Sequence, residues 1–296
     1  MTATTTRPVR IPLPPGFDFN WVLGFLAART VSSLESVNGS VYRRSVRLNG
    51  IPVTLMLRES RTGANGSGSI VVTSTPPLAA RDLKAAVTRM LDLDADVDRF
   101  HRLVRRDPIL GAIIRRRSGI RLPQLLDPFE GLTRAILGQQ VSVAGASTMV
   151  DRLVRLLSGP TAARSDSFLP FPTPREVADV GAERLRTIGL TRTRAATMFG
   201  VARQIADGTL DLESLRGASG EHAQAALEEL PGIGPWTASY VRMRALGDRD
   251  AFPAADLGVI KAMAAAGVER RAIAEVAERW RPWRGYATLH LWASLT

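Results

Sequence analysis

The chain has 296 residues, 45% of them apolar, and a formal net charge of +11; that is enough apolar residue for a large core in two or three lobes, and the charge favours a polyanionic partner. Cysteine is absent, which excludes disulfides, a thiolate nucleophile and cysteine-ligated zinc. No apolar run is long enough for a membrane span and the N-terminus lacks a signal-peptide core, so a cytoplasmic protein is expected. Arginine supplies nearly all the basic charge, because lysine occurs only at Lys84 and Lys261. A composition biased toward arginine would give the same excess without any nucleic-acid partner.

Residues 1–16 are rich in Thr and Pro and read as a flexible tail, loose or extended. Residues 19–30 read as a helix with Trp21, Phe25 and Leu26 on related faces. A β region follows, in which Val46 and Leu48 alternate with Ser45 and Arg47. Asn49-Gly50 marks a hairpin turn, and Ile51, Val53, Leu55 and Leu57 alternate on the return strand. The glycine-rich run 63–68 reads as a flexible loop, and 69–74 as a further strand closed by Pro76-Pro77. Beyond Leu78 the pattern is helical: 79–93, 95–105, 108–116, 129–138, 142–157, 174–188, 192–207, 221–230, 235–246, 256–266, 269–280 and 283–294. Thr173-Pro174 with Glu176 is a helix start. The expectation is an α+β fold, with a small domain over 17–92 and an all-helical body over 93–296.

The most informative stretch is Leu230-Pro231-Gly232-Ile233-Gly234-Pro235-Trp236-Thr237-Ala238. One helical run stops at Pro-Gly-x-Gly and another starts at once. The glycines permit a tight turn and leave amide N–H groups at the positive end of the second helix, which suits a phosphate oxygen and reads no base. Twenty residues past Trp236 comes Asp256, directly before the apolar-periodic run Leu257, Val259, Ile260 and Met263. Taken alone, Asp256 also reads as an ordinary helix cap. A second motif, Ala135-Ile136-Leu137-Gly138-Gln139-Gln140-Val141-Ser142, breaks a helix at Gly138 and follows it with two amides.

The hairpin followed at this spacing by Asp256 resembles the helix-hairpin-helix DNA glycosylases. With the Gly-Gln-Gln turn and the C-terminal Arg279-Trp280-Arg281-Pro282-Trp283-Arg284, the chain is similar to their alkylpurine branch, the AlkA-like DNA-3-methyladenine glycosylase II type, from about Phe17 to the C-terminus. The resemblance implies an N-terminal antiparallel sheet flanked by helices, then a two-lobed helical body with a cleft between the lobes. It implies hydrolysis of the N-glycosidic bond of alkylated purines such as 3-methyladenine and 7-methylguanine, after base flipping, as a step of base excision repair. Asp256 would be the catalytic carboxylate. Trp236, Tyr240, Trp292 and Phe25 would form the base pocket, where an electron-rich ring can stack on a cationic purine. Unaided, each of these aromatics reads equally as a core residue.

Gly232, Gly234, Thr237, Gln139 and Gln140 would contact DNA, with Gln140 plugging the gap left by the flipped base. Bifunctional relatives carry a lysine where this chain has Trp236, so a monofunctional enzyme is implied, with water as nucleophile. No cofactor is required, and the absence of cysteine excludes the iron–sulfur cluster of some relatives. Na+ or K+ could bind the backbone carbonyls of Glu228, Leu230 and Ile233. The expected partner is double-stranded DNA, with no membrane and no obligate protein partner, for a monomer in a bacterial cytoplasm associated with the nucleoid. One departure is visible: some relatives place Tyr after the catalytic Asp, and this chain has Leu257. Two other readings remain open, a non-catalytic hairpin DNA-binding protein and a bifunctional glycosylase/lyase for oxidised bases. The first would not need Asp256, and the second would need an amine at position 236.

Overall fold

Alternating apolar positions in the first quarter of the chain build a five-stranded sheet of order β1-β5-β4-β3-β2, antiparallel throughout. Its strands are β1 (Val9–Pro12), β2 (Glu35–Asn38), β3 (Val41–Leu48), β4 (Ile51–Arg61) and β5 (Gly68–Thr75). The computed structural model describes residues 7–61, 68–162 and 168–295. Residues 1–6 of the expected tail and 63–67 of the expected loop lie outside them. Tyr42, Leu57 and Val72 share one cross-strand row and are buried. They pack on α1 (Phe19–Ala27) through Phe19, Val22 and Leu23, and on α2 (Ala80–Met90) through Leu83, Val87 and Met90. At the β3–β4 turn Asn49 and Gly50 have φ of 52° and 78°, the left-handed pair that matches strand twist.

Two readings of this region change. Residues 9–12 are not loose tail but the edge strand β1, held by pairing of Val9 through Pro12 with β5. The strand β2 has no counterpart in the expected elements. Its four residues Glu-Ser-Val-Asn lack an alternating apolar pattern, and it is set by pairing with β3.

The remainder is helical: α3 (Val97–Val104), α4 (Leu110–Arg116), α5 (Pro128–Gly138), α6 (Val143–Ala162), α7 (Pro174–Arg186), α8 (Arg192–Ala206), α9 (Gly220–Glu228), α10 (Pro235–Arg244), α11 (Leu257–Ala265), α12 (Ile273–Ala277) and α13 (Arg284–Ala293). Thr173 caps α7 in a reciprocal box with Glu176, as Thr-Pro-x-Glu predicts. The single helix expected over 269–280 is instead α12 flanked by two 3-10 turns. The second turn carries Trp280 into the core, where its Nε1 donates to Asp107 Oδ2 at 2.9 Å.

The helices enclose two further cores. One runs from α5 to α10 and takes in Val31 and Leu34. The other joins α3 and α4 to α11–α13 and includes Phe25 of α1. The C-terminal helices therefore return to the N-terminal region, and a cleft of about 1190 Å³ opens where the cores meet. Among the described residues no helix is long and apolar enough to cross a membrane.

Candidate active site

The hairpin between α9 and α10 forms one lip of the cleft. Gly232 has φ +84°, and a Cβ there would lie 2.2 Å from Thr197 Oγ1, so glycine is required twice over. Gly234 differs. Its φ is −101° and nothing lies within 4 Å of an added Cβ. It is the N-cap of α10, with Pro235 in the first turn and no side-chain cap bond. The first-turn amides of α10 thus lack a side-chain acceptor from the cap residue and carry the positive end of the helix dipole.

The end of α5 is tied to this lip. Gln139 Nε2 donates to Gly232 O at 3.0 Å and Thr237 Oγ1 at 3.1 Å, and the Arg194 guanidinium donates to the Gln139 carbonyl. Gln139 and Thr237 therefore hold each other, and Thr237 is buried. Gln140 is exposed on the cleft with φ +56°, a conformation rare for a residue with a Cβ.

Asp256 sits on the opposite wall and performs two tasks. It caps α11: its Oδ1 accepts from the amides of Gly258 at 2.9 Å and Val259 at 3.1 Å. It also accepts from two indoles, Trp292 Nε1 to Oδ1 at 2.8 Å and Trp236 Nε1 to Oδ2 at 3.1 Å. The cap reading and the cleft reading of this residue are both satisfied. Gly258 makes the arrangement possible, since a Cβ there would lie 2.7 Å from Trp292 Cδ1. That glycine was readable in Asp-Leu-Gly but had no partner until α13 was placed.

Trp236 and Tyr240, one turn apart on α10, stack at 5.5 Å, and Tyr240 lies 6.4 Å from Trp292. All three line the cleft. Phe25, expected beside them, is buried behind Arg29. The guanidinium carbon of Arg29 lies 3.7 Å from the centre of the Phe25 ring, and Arg29 rather than Phe25 lines the cleft. Phe25 still stacks on Trp292 at 6.4 Å, so it supports the wall from within. Arg244, also a lining residue, is buried and donates from Nε to Pro123 O at 2.7 Å. Burial pushes its guanidinium down to about 10.

A charged cluster floors the cleft, and no local pattern in the chain marks it. Arg44 of β3 reaches both oxygens of Glu130 on α5 at 2.6 Å. Arg134 of α5 pairs with Glu130 at 2.8 Å and with Glu35 of β2 at 2.7 Å, and the Tyr42 hydroxyl donates to Glu35. Burial alone would raise the Glu35 carboxyl, but Arg134 and Arg44 hold it below the usual range. The formal charges within this set cancel, which satisfies buried ions that would be costly alone.

The C-terminal Arg-Trp motif, Asp248, His290, the arginines 115–117 and the two lysines fall outside the cleft. Trp280 and Trp283 of the Arg-Trp-Arg-Pro-Trp-Arg segment pack in the C-terminal core, with Arg281 and Arg284 paired to Asp250 and Glu278. Asp248 pairs with Arg242 at 2.5 Å. His290 is buried against Phe100, and burial pushes its imidazole down to about 3. Arg115, Arg116 and Arg117 form a solvated face, and Lys84 and Lys261 are exposed away from the cleft lining. Among the described residues no cluster of three or more His, Asp or Glu is placed to hold a metal.

The N-terminal sheet and the helical body with its hairpin are the fold of a base-excision glycosylase scaffold. Residues 8–127 match the AlkA N-terminal domain, and residues 133–284 match the HhH-GPD superfamily base excision DNA repair protein. The chain is 35% identical to DNA-3-methyladenine glycosylase 2 of Escherichia coli, over 94% of each protein. It is 36% identical to the probable bifunctional transcriptional activator/DNA repair enzyme AlkA of Mycobacterium tuberculosis, over 98% of this chain but only 57% of that protein's length. Its fold matches the 3-methyladenine DNA-glycosylase of Archaeoglobus fulgidus with a TM-score of 0.79 and 26% identity, over 96% of this chain and 97% of that one. The chain belongs to the HhH-GPD superfamily of base excision DNA repair proteins, with an AlkA-type N-terminal domain.

Proposed function

We propose that this protein is a monofunctional DNA glycosylase that releases alkylated purines from double-stranded DNA. The observation that carries the reading is the Asp256 carboxylate, held by the indole N–H groups of Trp236 and Trp292 at the aromatic wall of the cleft. A flipped purine stacks on that wall. As the bond from C1′ to the base nitrogen breaks, its electron pair leaves with the base and positive charge grows on the sugar. The Asp256 carboxylate stabilises that charge and orients water, whose oxygen bonds to C1′ as its proton passes to the carboxylate. Strand cleavage through a Schiff base needs an amine, and neither lysine lines the cleft.

The hairpin amides around Gly232 and Gly234 grip a phosphate, and Gln140 fills the vacated stack. The carbonyls of Glu228, Leu230 and Ile233 suit a Na+ or K+ ion, which takes oxygen ligands. The Leu230 carbonyl accepts from the Ile233 amide at 3.0 Å and keeps its second lone pair for an ion. Such an ion would add positive charge beside the phosphate. The reading takes the protein as a monomer acting on DNA in a bacterial cytoplasm. The test is incubation with methylated duplex DNA and chromatography of the released bases. Release of 3-methyladenine or 7-methylguanine from strands that stay intact until alkali is added is expected. Borohydride trapping of a covalent adduct would overturn the monofunctional assignment.

A further inference from the structure

The two faces of the N-terminal sheet are unlike each other. Directly paired residues of an antiparallel sheet point to the same side, and the next row points to the other. The row Tyr42, Leu57, Val72 and Val9 faces the core under α1 and α2. The neighbouring row Val41, Arg58, Val71 and Arg10 therefore faces away from it. So does the row on the other side, where Arg43 pairs with Met56. Arg10, Arg43 and Arg58 are exposed. The outward apolar residues Val41, Met56 and Val71 belong to none of the three cores, so among the described residues no apolar layer seals this face.

The charges on it are of one sign. Arg10, Arg43, Arg47 and Arg58 stand on the outward rows of the five strands, and no Asp or Glu does. Among the described residues, Arg10, Arg43 and Arg58 have no carboxylate at salt-bridge distance. By contrast, Arg44 on the inward face is neutralised by Glu130, and Arg242, Arg249 and Arg284 each meet an aspartate. Arg10 is steered over the outward face, where its Nη1 donates to Ser60 Oγ at 3.1 Å. At about 4.8 Å between strands and about 3.4 Å per residue, the three arginines start from a patch about 14 Å across the strands and about 7 Å along them. Duplex DNA carries one charge per about 1.7 Å of its axis, so a duplex lying across the strands offers this patch about eight phosphates. The cleft lies on the other side of the sheet, since the inward residues Glu35, Tyr42 and Arg44 line it. The arginines turn away from any duplex held there.

We propose that the outward face of the sheet, through Arg10, Arg43 and Arg58, is a second binding surface for duplex DNA, which lets one molecule hold an undamaged duplex while the cleft side holds another. The guanidinium groups meet phosphates and displace counterions, and they read no base. Such a surface would pass the protein directly between neighbouring segments of DNA.

The experiment mixes the full chain with equimolar abasic-site duplex and undamaged duplex, labelled with different dyes, at about 50 mM salt. Sedimentation velocity then reads the species that carry both dyes. The wild type should form such a species. With Arg10→Gln, Arg43→Gln and Arg58→Gln combined, affinity for the second duplex should fall at least about tenfold. Affinity for the abasic-site duplex and the rate of base release should stay at wild-type values. Lysine at all three positions should keep the two-dye species, because a point charge suffices for a phosphate. The wild-type affinity for the second duplex should fall about fortyfold between about 50 and 200 mM salt, the dependence set by three phosphates. A wild type that forms no two-dye species, a glutamine variant that forms it equally well, or an affinity indifferent to salt overturns the proposal. Tighter binding of polyglutamate than of duplex at equal charge would assign the face to an acidic protein and overturn it too.

Discussion

The two sides of the cleft are built by different means. The hairpin lip depends on backbone: Gly232 at φ +84°, an N-cap at Gly234 with open space above it, and Gln140 at φ +56°. The aspartate wall depends on side chains from distant segments: Asp256 between two indoles, Arg29 on Phe25, and a floor of paired charges. Backbone amides hold phosphates without regard to sequence, whereas positioned side chains act on one base and one bond. Variants on the lip should therefore change affinity, and variants on the wall should change the rate of release.

The largest effect is expected at Asp256. Asp256→Asn keeps the shape and the N-cap acceptor but removes the charge. Release of 3-methyladenine should fall at least about a hundredfold to a thousandfold, with affinity for an abasic-site duplex retained. Near wild-type rates would refute the assignment. Beneath the wall, Glu130→Ala strands Arg44, which among the described residues is then left with Glu35 at 3.7 Å and a backbone carbonyl. Removing one member of such a buried set costs about 3–5 kcal/mol, and urea unfolding should show it. Glu130→Gln, which still accepts hydrogen bonds, should lose less. A cost for Glu130→Ala below about 1 kcal/mol would show that the floor is not what holds the sheet to α5.

On the lip, Gly234→Asp separates stability from binding. The φ of −101° is open to any residue, and nothing crowds the new Cβ. Aspartate is also a better N-cap than glycine, by a few tenths of a kcal/mol. The variant should therefore unfold no earlier than the wild type. Its carboxylate would sit where a phosphate oxygen approaches, so affinity for every duplex should fall about tenfold at low salt, with a shallower salt dependence. Unchanged affinity for an abasic-site duplex would remove the hairpin from the DNA interface.

The same contrast explains what was legible in the sequence. Pro-Gly-x-Gly marks a turn by itself, because the restriction on φ is local, and Trp236 and Tyr240 share a face by helical spacing alone. The Asn49-Gly50 hairpin and the Thr173 cap were readable for the same reason. The wall was only half legible. Asp256 has a local signature as a cap and a spacing from the hairpin, but the exchange of Arg29 for Phe25 at the surface depends on Trp292, far along the chain. The paired charges join Arg44 to Glu130 and Glu35 to Arg134, 86 and 99 residues apart. No periodicity marks such a pair, and Arg44 on an otherwise apolar strand face reads as noise until α5 covers it. Strand β1 was missed for a related reason: Pro-rich edges look like tail until a partner strand is placed.

Gln140 tests the boundary between the two sides, since it is a side chain presented by a strained backbone. A flipped nucleotide leaves a hole in the stack that something must fill, or the base returns. Glutamine fills it with less apolar contact than leucine but can hydrogen-bond the orphaned partner base. Its left-handed φ costs leucine about as much as glutamine, so exchanging one for the other compares the plugs and not the backbone. Gln140→Ala should weaken binding to an abasic-site duplex about three- to tenfold more than to intact duplex, and slow base release by a similar factor, as expected for about 1 kcal/mol of lost contact. Gln140→Leu should retain most of the rate. The measurement is affinity for the two duplexes in parallel. Equal losses on both would make Gln140 an ordinary surface contact of the lip, and no loss on either would leave it as the turn that ends α5.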